Sequence, residues 1–274
     1  MEFHQILGKQ RWPSPCTLRP SNNTRRNKNK TGRFPIIPHL ITVFGRKPVI
    51  EVLRSEHKVA RLHIARNIKH LAIMQQLVEL AEVKKAEIKY HSRRELSYIS
   101  KNSRQDQGVA IDLIAPKLNP LADLPSNAKS LIILDGITNP SNLGIIIRSV
   151  AASPLDGLVL PEKCNAAIGP LVYKASAGFV LSANIYQCET IISGLNYLQS
   201  HQFKVFGLSS YGETALNKTV AIGPSVFVLG NESAGLSSEV EALCDQLVSI
   251  PMANGVESIN VSAAATLVAF HFLY

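Results

Sequence analysis

Five short apolar runs, each separated from the next by a polar or helical segment, organise the second half of the chain: "SLIILDG", "DGLVLP", "KVFGLSS", "SVFVLG" and "QLVSIP". None alternates apolar with polar residues, as a strand facing water on one side does. Each therefore reads as a strand buried on both faces. Helical segments lie among them, after Asn139, around 168–177, over 190–201, near Ser237 and near Ile259. Strands alternating with helices predict an α/β fold with a parallel sheet covered on both sides. Ligands on such sheets bind beyond the carboxyl ends of the strands. Three of those ends are marked by glycine and small polar residues: "LDGITNPSN", "VLGNESAG" and "SIPMANGVESIN".

The first half predicts a smaller α/β unit over residues 41–117. Regular patterning starts at about Val43. "GRKPVIEVLRS" reads as a turn and helix, "VARLHIAR" as a strand, and "HLAIMQQLVELAEVKKA" as an amphipathic helix with a basic outer face. "EIKYHS", a "RRELSYIS" helix and "GVAIDLIA" complete it. A linker follows over 118–128, around Pro116, Pro120 and Pro125, and the larger unit spans 129–274. With 274 residues, each unit is expected to bury its own core. Residues 1–40 are polar, basic and poor in acid, the composition of a disordered arm. An organelle transit peptide shares that composition, although Pro13, Pro15 and Pro20 interrupt this one.

Charge divides the chain the same way. Residues 1–35 carry eight Lys/Arg against Glu2 alone, and 36–117 carry fifteen against eight, so each is +7. Residues 118–274 carry six against eleven. A basic arm beside a basic unit suits a polyanion, nucleic acid foremost, because phosphate neutralisation releases counterions. No stretch reaches the roughly 20 apolar residues of a membrane helix. Cys16, Cys164, Cys188 and Cys244 show no C-x-x-C spacing, which points away from a metal site and towards the reducing cytoplasm.

Several chemistries lack their signatures. No G-x-G-x-x-G follows the first strand of the larger unit. Gly230 and Gly235 have phosphate-loop spacing, but Leu236-Ser237 stand where Lys-Ser/Thr is required. There is no G-x-S-x-G elbow, and histidine is scarce, with only His201 and His271 in this half. Any chemistry here uses Arg, Glu, Ser and Asn. "NPSNLGIIIRSV" is the telling stretch: Asn139-Pro140 start a helix, and Arg148, the sole arginine after residue 118, emerges from its apolar run.

Four stretches together resemble the SpoU (TrmH-like) branch of the SPOUT RNA methyltransferases: "LDGITNPSNLGIIIRSV", "KASAG", "VLGNESAGLS" and "IPMANGVESINVSAAATLVAF". The resemblance covers about 129–274. A weaker one, through "VFGRKPVIEVL" and "DQGVAID", extends over about 43–115 to the substrate-binding domain of the ribosomal-RNA members. It implies a parallel sheet with a deep trefoil knot, a homodimer, and methyl transfer from S-adenosylmethionine to a ribose 2′-hydroxyl. The implied partner is structured RNA, ribosomal before transfer RNA, with guanosine favoured.

The resemblance also assigns residues. Arg148 is expected to contact the 2′-hydroxyl and a nearby phosphate, with Gly144 leaving room for the substrate backbone. Arginine keeps its proton, so orienting the phosphate and stabilising an alkoxide suit it better than acting as a base. Asn142 is expected to hold Arg148 or the RNA, or to cap or brace the loop, Glu232 to orient Arg148 or cap a helix, and Ser258 and Asn260 to lie beside the nucleophile and the cofactor's methionine portion. Gly230, Ile250 and Ile259 would cradle the adenosine, with Met252 as an apolar wall. A small-residue face, Ser262 to Ala265, suits close packing in a dimer or a core. Asn139 stands where Asp is frequent, and Asp106 where His is often seen. The competing readings are a non-catalytic RNA-binding assembly protein and a methyltransferase acting on RNA bases.

Overall fold

A computed structural model describes residues 40–66, 71–115, 117–220 and 222–271. The arm expected over 1–40 lies outside these, save Leu40. The described residues form one compact unit with two sheets.

The smaller sheet is built from β1 (Leu40–Phe44), α1 (Arg46–Arg54), β2 (Val59–Ala65), α2 (Leu71–Val83), β3 (Glu87–His91), α3 (Arg93–Ser100) and β4 (Val109–Ile114). Its strand order is β1-β4-β2-β3, with β2 and β3 parallel and the other pairs antiparallel. Alternation decides the faces: Ile41, Val43, Leu62, Ile64, Ile111 and Leu113 turn to the core with α1 and α2. On the other face α3 covers Phe44, Ala65 and Ala110 with Leu96. A capping box starts α3, Ser92 accepting from the Glu95 amide at 3.3 Å and Glu95 from the Ser92 amide at 2.7 Å. Regular structure begins at Leu40, three residues before the patterning suggests, because Leu40 already pairs with Ile114. The basic outer face expected of α2 is absent. The helix ends at Val83, before Lys84 and Lys85, and exposes Gln75, Glu79 and Glu82 instead.

The larger sheet has eight strands, all parallel: β5 (Asn119–Pro120), β6 (Ser130–Leu134), β7 (Gly157–Pro161), β8 (Ile185–Cys188), β9 (Lys204–Leu208), β10 (Thr214–Ala215), β11 (Ser225–Leu229) and β12 (Gln246–Ser249). Its helices are α4 (Pro140–Ala151), α5 (Pro170–Ala175), α6 (Ile191–Ser200), α7 (Ser238–Glu241) and α8 (Val261–His271). All five apolar runs became strands. β8 was not foreseen, since "IYQC" is short and broken by Gln187. The strand order is β10-β12-β9-β11-β6-β7-β8-β5. From β6 the chain builds outwards through β7 and β8, then returns to the other side, and β11 inserts between β9 and β6. The order thus reverses at β6 and β11, whose carboxyl ends carry two of the three marked loops.

One apolar cluster runs through both sheets, so the units do not bury separate cores. The bridge is α5, which packs against α4 and against β1. Its Val172 and Tyr173 are fully buried in that cluster with Val43 and Val49. Tyr173 pays for this position: burial pushes its phenol up to about 12. No described helix is long and apolar enough to cross a membrane.

Candidate active site

The loop after β6 starts the site. Asn139 caps α4, its side chain accepting from the Ser141 amide at 2.8 Å, and Pro140 fills the first turn. Helix α4 then buries Asn142, Leu143, Gly144, Ile146, Ile147 and Val150. Asn142 is thus a polar side chain in an apolar setting and needs partners. It finds them in both other marked loops. Its amide donates to a Glu232 carboxylate oxygen, and its carbonyl oxygen accepts from Asn260 Nδ2 at 3.2 Å. Asn260 in turn accepts from the Ser262 amide at 2.8 Å and hydroxyl at 2.5 Å, fixing the start of α8. Three loops distant in sequence are tied by one chain, Glu232–Asn142–Asn260.

Arg148 lies two turns along α4 and is exposed, and its guanidinium makes no hydrogen bond or ion pair among the described residues. The expected Glu232–Arg148 contact is not formed, because Glu232 serves Asn142. Ser258 is exposed and outside the chain of bonds. Gly144 does not open space for a substrate. A Cβ there would lie 2.5 Å from Ala175 Cβ and 2.9 Å from the Val172 carbonyl, so α5 already occupies that side.

The β11 loop is a tight turn. Asn231 and Gly235 exchange backbone bonds of 3.1 and 2.9 Å, and a Cβ on Gly230 would meet the Gly235 carbonyl at 2.3 Å. Asn231 Nδ2 also donates to the Gly136 carbonyl at 2.8 Å, and the Asp135 amide to the Leu229 carbonyl at 2.9 Å, joining this loop to the one after β6. Asp135 itself is pushed up by burial, an effect its bond from the Ser237 amide offsets in part. The loop after β9 is pressed onto the end of β12: the Ser209 amide donates to the Val248 carbonyl at 2.9 Å, and a Cβ on Gly212 would be 2.4 Å from the Val248 carbonyl carbon. Ile250 follows half-buried, while residues 251–260, including Met252, Ile259 and Ser258, are exposed. Loops after β9, β11 and β12 therefore form a backbone-rich rim with apolar side chains, suited to a flat neutral ring beside polar groups. Asn231, Asp135 and the Ser209–Gly212 loop were missed from sequence. A carboxylate and an asparagine directly at strand ends were the available signal for the first two.

This arrangement matches a known pattern. The model of the SpoU rRNA methylase family matches residues 129–270, and that for RNA 2′-O ribose methyltransferase substrate binding matches 42–118. The chain belongs to the SpoU rRNA methylase family. It is an RNA methyltransferase. A protein of Mycolicibacterium vanbaalenii named an uncharacterized tRNA/rRNA methyltransferase is 33% identical over 274 aligned residues, covering 96% of this chain and 87% of its own. A namesake from Mycolicibacterium gilvum is 32% identical, covering 82% of this chain and 74% of its own. The fold is shared with the SpoU methyltransferase AviRb of Streptomyces viridochromogenes, solved with AdoMet. That likeness has a TM-score of 0.73 at 22% identity and covers 84% of this chain and 88% of the other. An AdoMet-bound rRNA methyltransferase of Sinorhizobium meliloti gives a TM-score of 0.71 at 21% identity, covering 85% and 86%.

Proposed function

We propose that this chain transfers a methyl group from S-adenosylmethionine to a ribose 2′-hydroxyl of structured RNA, ribosomal in preference to transfer RNA, with guanosine as the favoured nucleotide. The observation that carries the reading is the Glu232–Asn142–Asn260 chain, which locks the three loops beside an unpaired Arg148. The match of residues 42–118 to a 2′-O ribose substrate-binding model supports ribose over base. The match of 129–270 to an rRNA methylase family supports ribosomal RNA.

The residues fit the cofactor. Gly230 and Gly212 let the loops after β11 and β9 pack directly on backbone, which fixes the rim, and Ile250, Met252 and Ile259 supply apolar cover for an adenosine. When bound, S-adenosylmethionine supplies a methyl group on a sulfonium. The protein's task is then to place the 2′-oxygen in line and ease loss of its proton. Arg148 presents a planar fork of N–H donors, so it holds a phosphate and stabilises charge growing on the 2′-oxygen. Asn142 is engaged at both ends of its amide and acts as a positioning residue. Ser258 lies on the exposed segment 251–260, open to a substrate.

The knotted threading of this sheet and a homodimer belong to the same reading. Ala264 and Ala265, offered above for a dimer face, are buried within the chain, with Thr266 bonded to Ser149 at 2.7 Å. The support for a dimer is instead the exposed apolar set Ile145, Val256, Ile259 and Leu267.

The test is transfer of radiolabel from S-adenosylmethionine to ribosomal and transfer RNA transcribed in vitro, with Arg148→Ala alongside. Label resistant to alkaline cleavage, lost by at least 100-fold in the variant, is expected. Label on a base in the nuclease digest overturns the ribose assignment. Absence of both label and calorimetric cofactor binding favours the RNA-binding assembly protein.

A further inference from the structure

The smaller sheet carries a cavity of about 400 Å³ that the reaction described above does not use. It lies where α2 leans over the ends of β2 and β3. Its floor is apolar, from Ile64, Met74 and Val78, and its sides carry Arg66, Gln75, Glu79 and Tyr90. Tyr90 is on β3, the edge strand, and is 53% exposed. Among the described residues no side chain is packed over this aromatic surface, which stands open beside an apolar floor.

We propose that this cavity takes one unstacked nucleobase of the substrate RNA, with Tyr90 as the stacking surface and Arg66 beside the adjoining phosphate. The inference rests on the RNA methyltransferase reading and deepens it. Three observations choose the occupant. Residues 36–117 carry a charge of +7, so a polyanion is drawn to this part of the chain. The cavity itself is not basic: Glu79 lines it as well as Arg66, and a carboxylate there repels a phosphate from the floor but accepts from the exocyclic amine of a base. Finally, its size and its apolar-plus-amide lining match a flat heteroaromatic ring, and single-stranded RNA is read by stacking splayed bases on aromatic and arginine side chains. Gln75, which both donates and accepts, completes an edge able to bond a base.

The cavity is on the substrate-binding part of the chain, so its loss should weaken RNA capture without touching methyl transfer. Tyr90 is exposed, which makes its substitution safe for folding. For the full chain acting on RNA transcribed in vitro, Tyr90→Ala is expected to raise the RNA KM roughly ten-fold, the effect of losing one stacked base. Tyr90→Phe keeps the stacking surface and should stay within about two-fold of the parent. Saturating kcat and S-adenosylmethionine affinity should be unchanged in both. Ultraviolet irradiation of the complex, digestion and mass spectrometry should place a nucleotide adduct on the peptide containing Tyr90. Unchanged KM in Tyr90→Ala together with no adduct there overturns the cavity's role while leaving the enzyme's activity intact. A parent protein that neither binds RNA nor transfers label overturns the underlying reading, and the cavity's role with it.

Discussion

Asn142 shows how one residue can hold a site together. Its amide nitrogen is spent on Glu232 and its oxygen on Asn260, so substitutions have separable effects. Asn142→Ala removes both bonds, but Glu232 and Asn260 are exposed and can turn to water, so it should lower stability by only about 0.5–1.5 kcal/mol while abolishing transfer. Asn142→Asp is the sharper test. It sets a second carboxylate against Glu232, and two close carboxylates ionise only with difficulty, so one keeps a proton to a higher pH than usual. Activity relative to the parent should therefore be lowest above neutrality and partly recover as pH falls, read from a pH–rate profile. Gly144 is a second case. Alanine favours a helix over glycine by about 1 kcal/mol, but here its Cβ would meet the backbone of α5, at 2.9 Å from the Val172 carbonyl and 3.0 Å from the Ser176 amide. Overpacking against backbone costs about 1–3 kcal/mol, so Gly144→Ala should melt lower than the parent.

At the scale of elements, the smaller sheet contains a buried polar ladder that no motif announced. Asp112 on β4 accepts from Thr42 Oγ1 on β1 at 2.7 Å and lies 3.0 Å from His63 Nε2 on β2, while His63 Nδ1 is 2.9 Å from His91 Nε2 on β3. Burial alone would raise the Asp112 carboxyl, but the hydrogen bonds from His63 and Thr42, with the charges of His63 and Arg61, hold it below the usual carboxylate range. Burial, then the charge of His63, holds His91 below the ordinary histidine value. Both shifts have the same sign for stability: the unfolded chain takes up protons first as pH falls. Stability tied to His91 should begin to decline below about pH 6.5, and that tied to Asp112 below about pH 3.9. Thr42 and His63 bond different oxygens of Asp112, so Asp112→Asn keeps an acceptor for one and sets an NH2 against the other, and should cost about 1–3 kcal/mol in a thermal melt at pH 7. The runs that became β2, β3 and β4 were legible in the sequence, but β1 was not foreseen and neither was the pairing, because register decides which polar residues face each other. The same limit explains the other misses. The apolar runs of β6, β7, β9, β11 and β12 announce themselves because a strand buried on both faces admits little else. Glu232's choice of Asn142 over Arg148 depends on how the β11 loop turns. The outer face of α2 depends on where the helix stops.

For the whole molecule, the question is what fixes the smaller sheet to α4. Helix α5 and the turn after it touch both. On one side α5 packs against α4 at Gly144. On the other, Lys174 Nζ donates to Gln105 and lies 5.8 Å from the Phe44 ring centroid, and the Leu181 carbonyl is 3.4 Å from His57 Nε2. Gly178 sits at the tightest point. Its φ of +89° is strained for any other residue, and a Cβ there would lie 2.5 Å from Glu51 Cβ on α1. On the proposed function, such a bracket would set a fixed span between captured RNA and Arg148, so the target would be selected partly by distance from the docking point. Gly178→Val should pry α1 from this turn. The adenosine rim, made from the distant loops after β9, β11 and β12, should keep its S-adenosylmethionine affinity within about two-fold, because sites that share no contacts behave independently. Proteolysis within residues 117–128 should quicken as the two parts separate. Methylation should lose its site selectivity, read as label spread over several nucleotides in the digest instead of one. A variant that keeps a single methylated position despite faster cleavage would show that the span is set by the RNA's own fold.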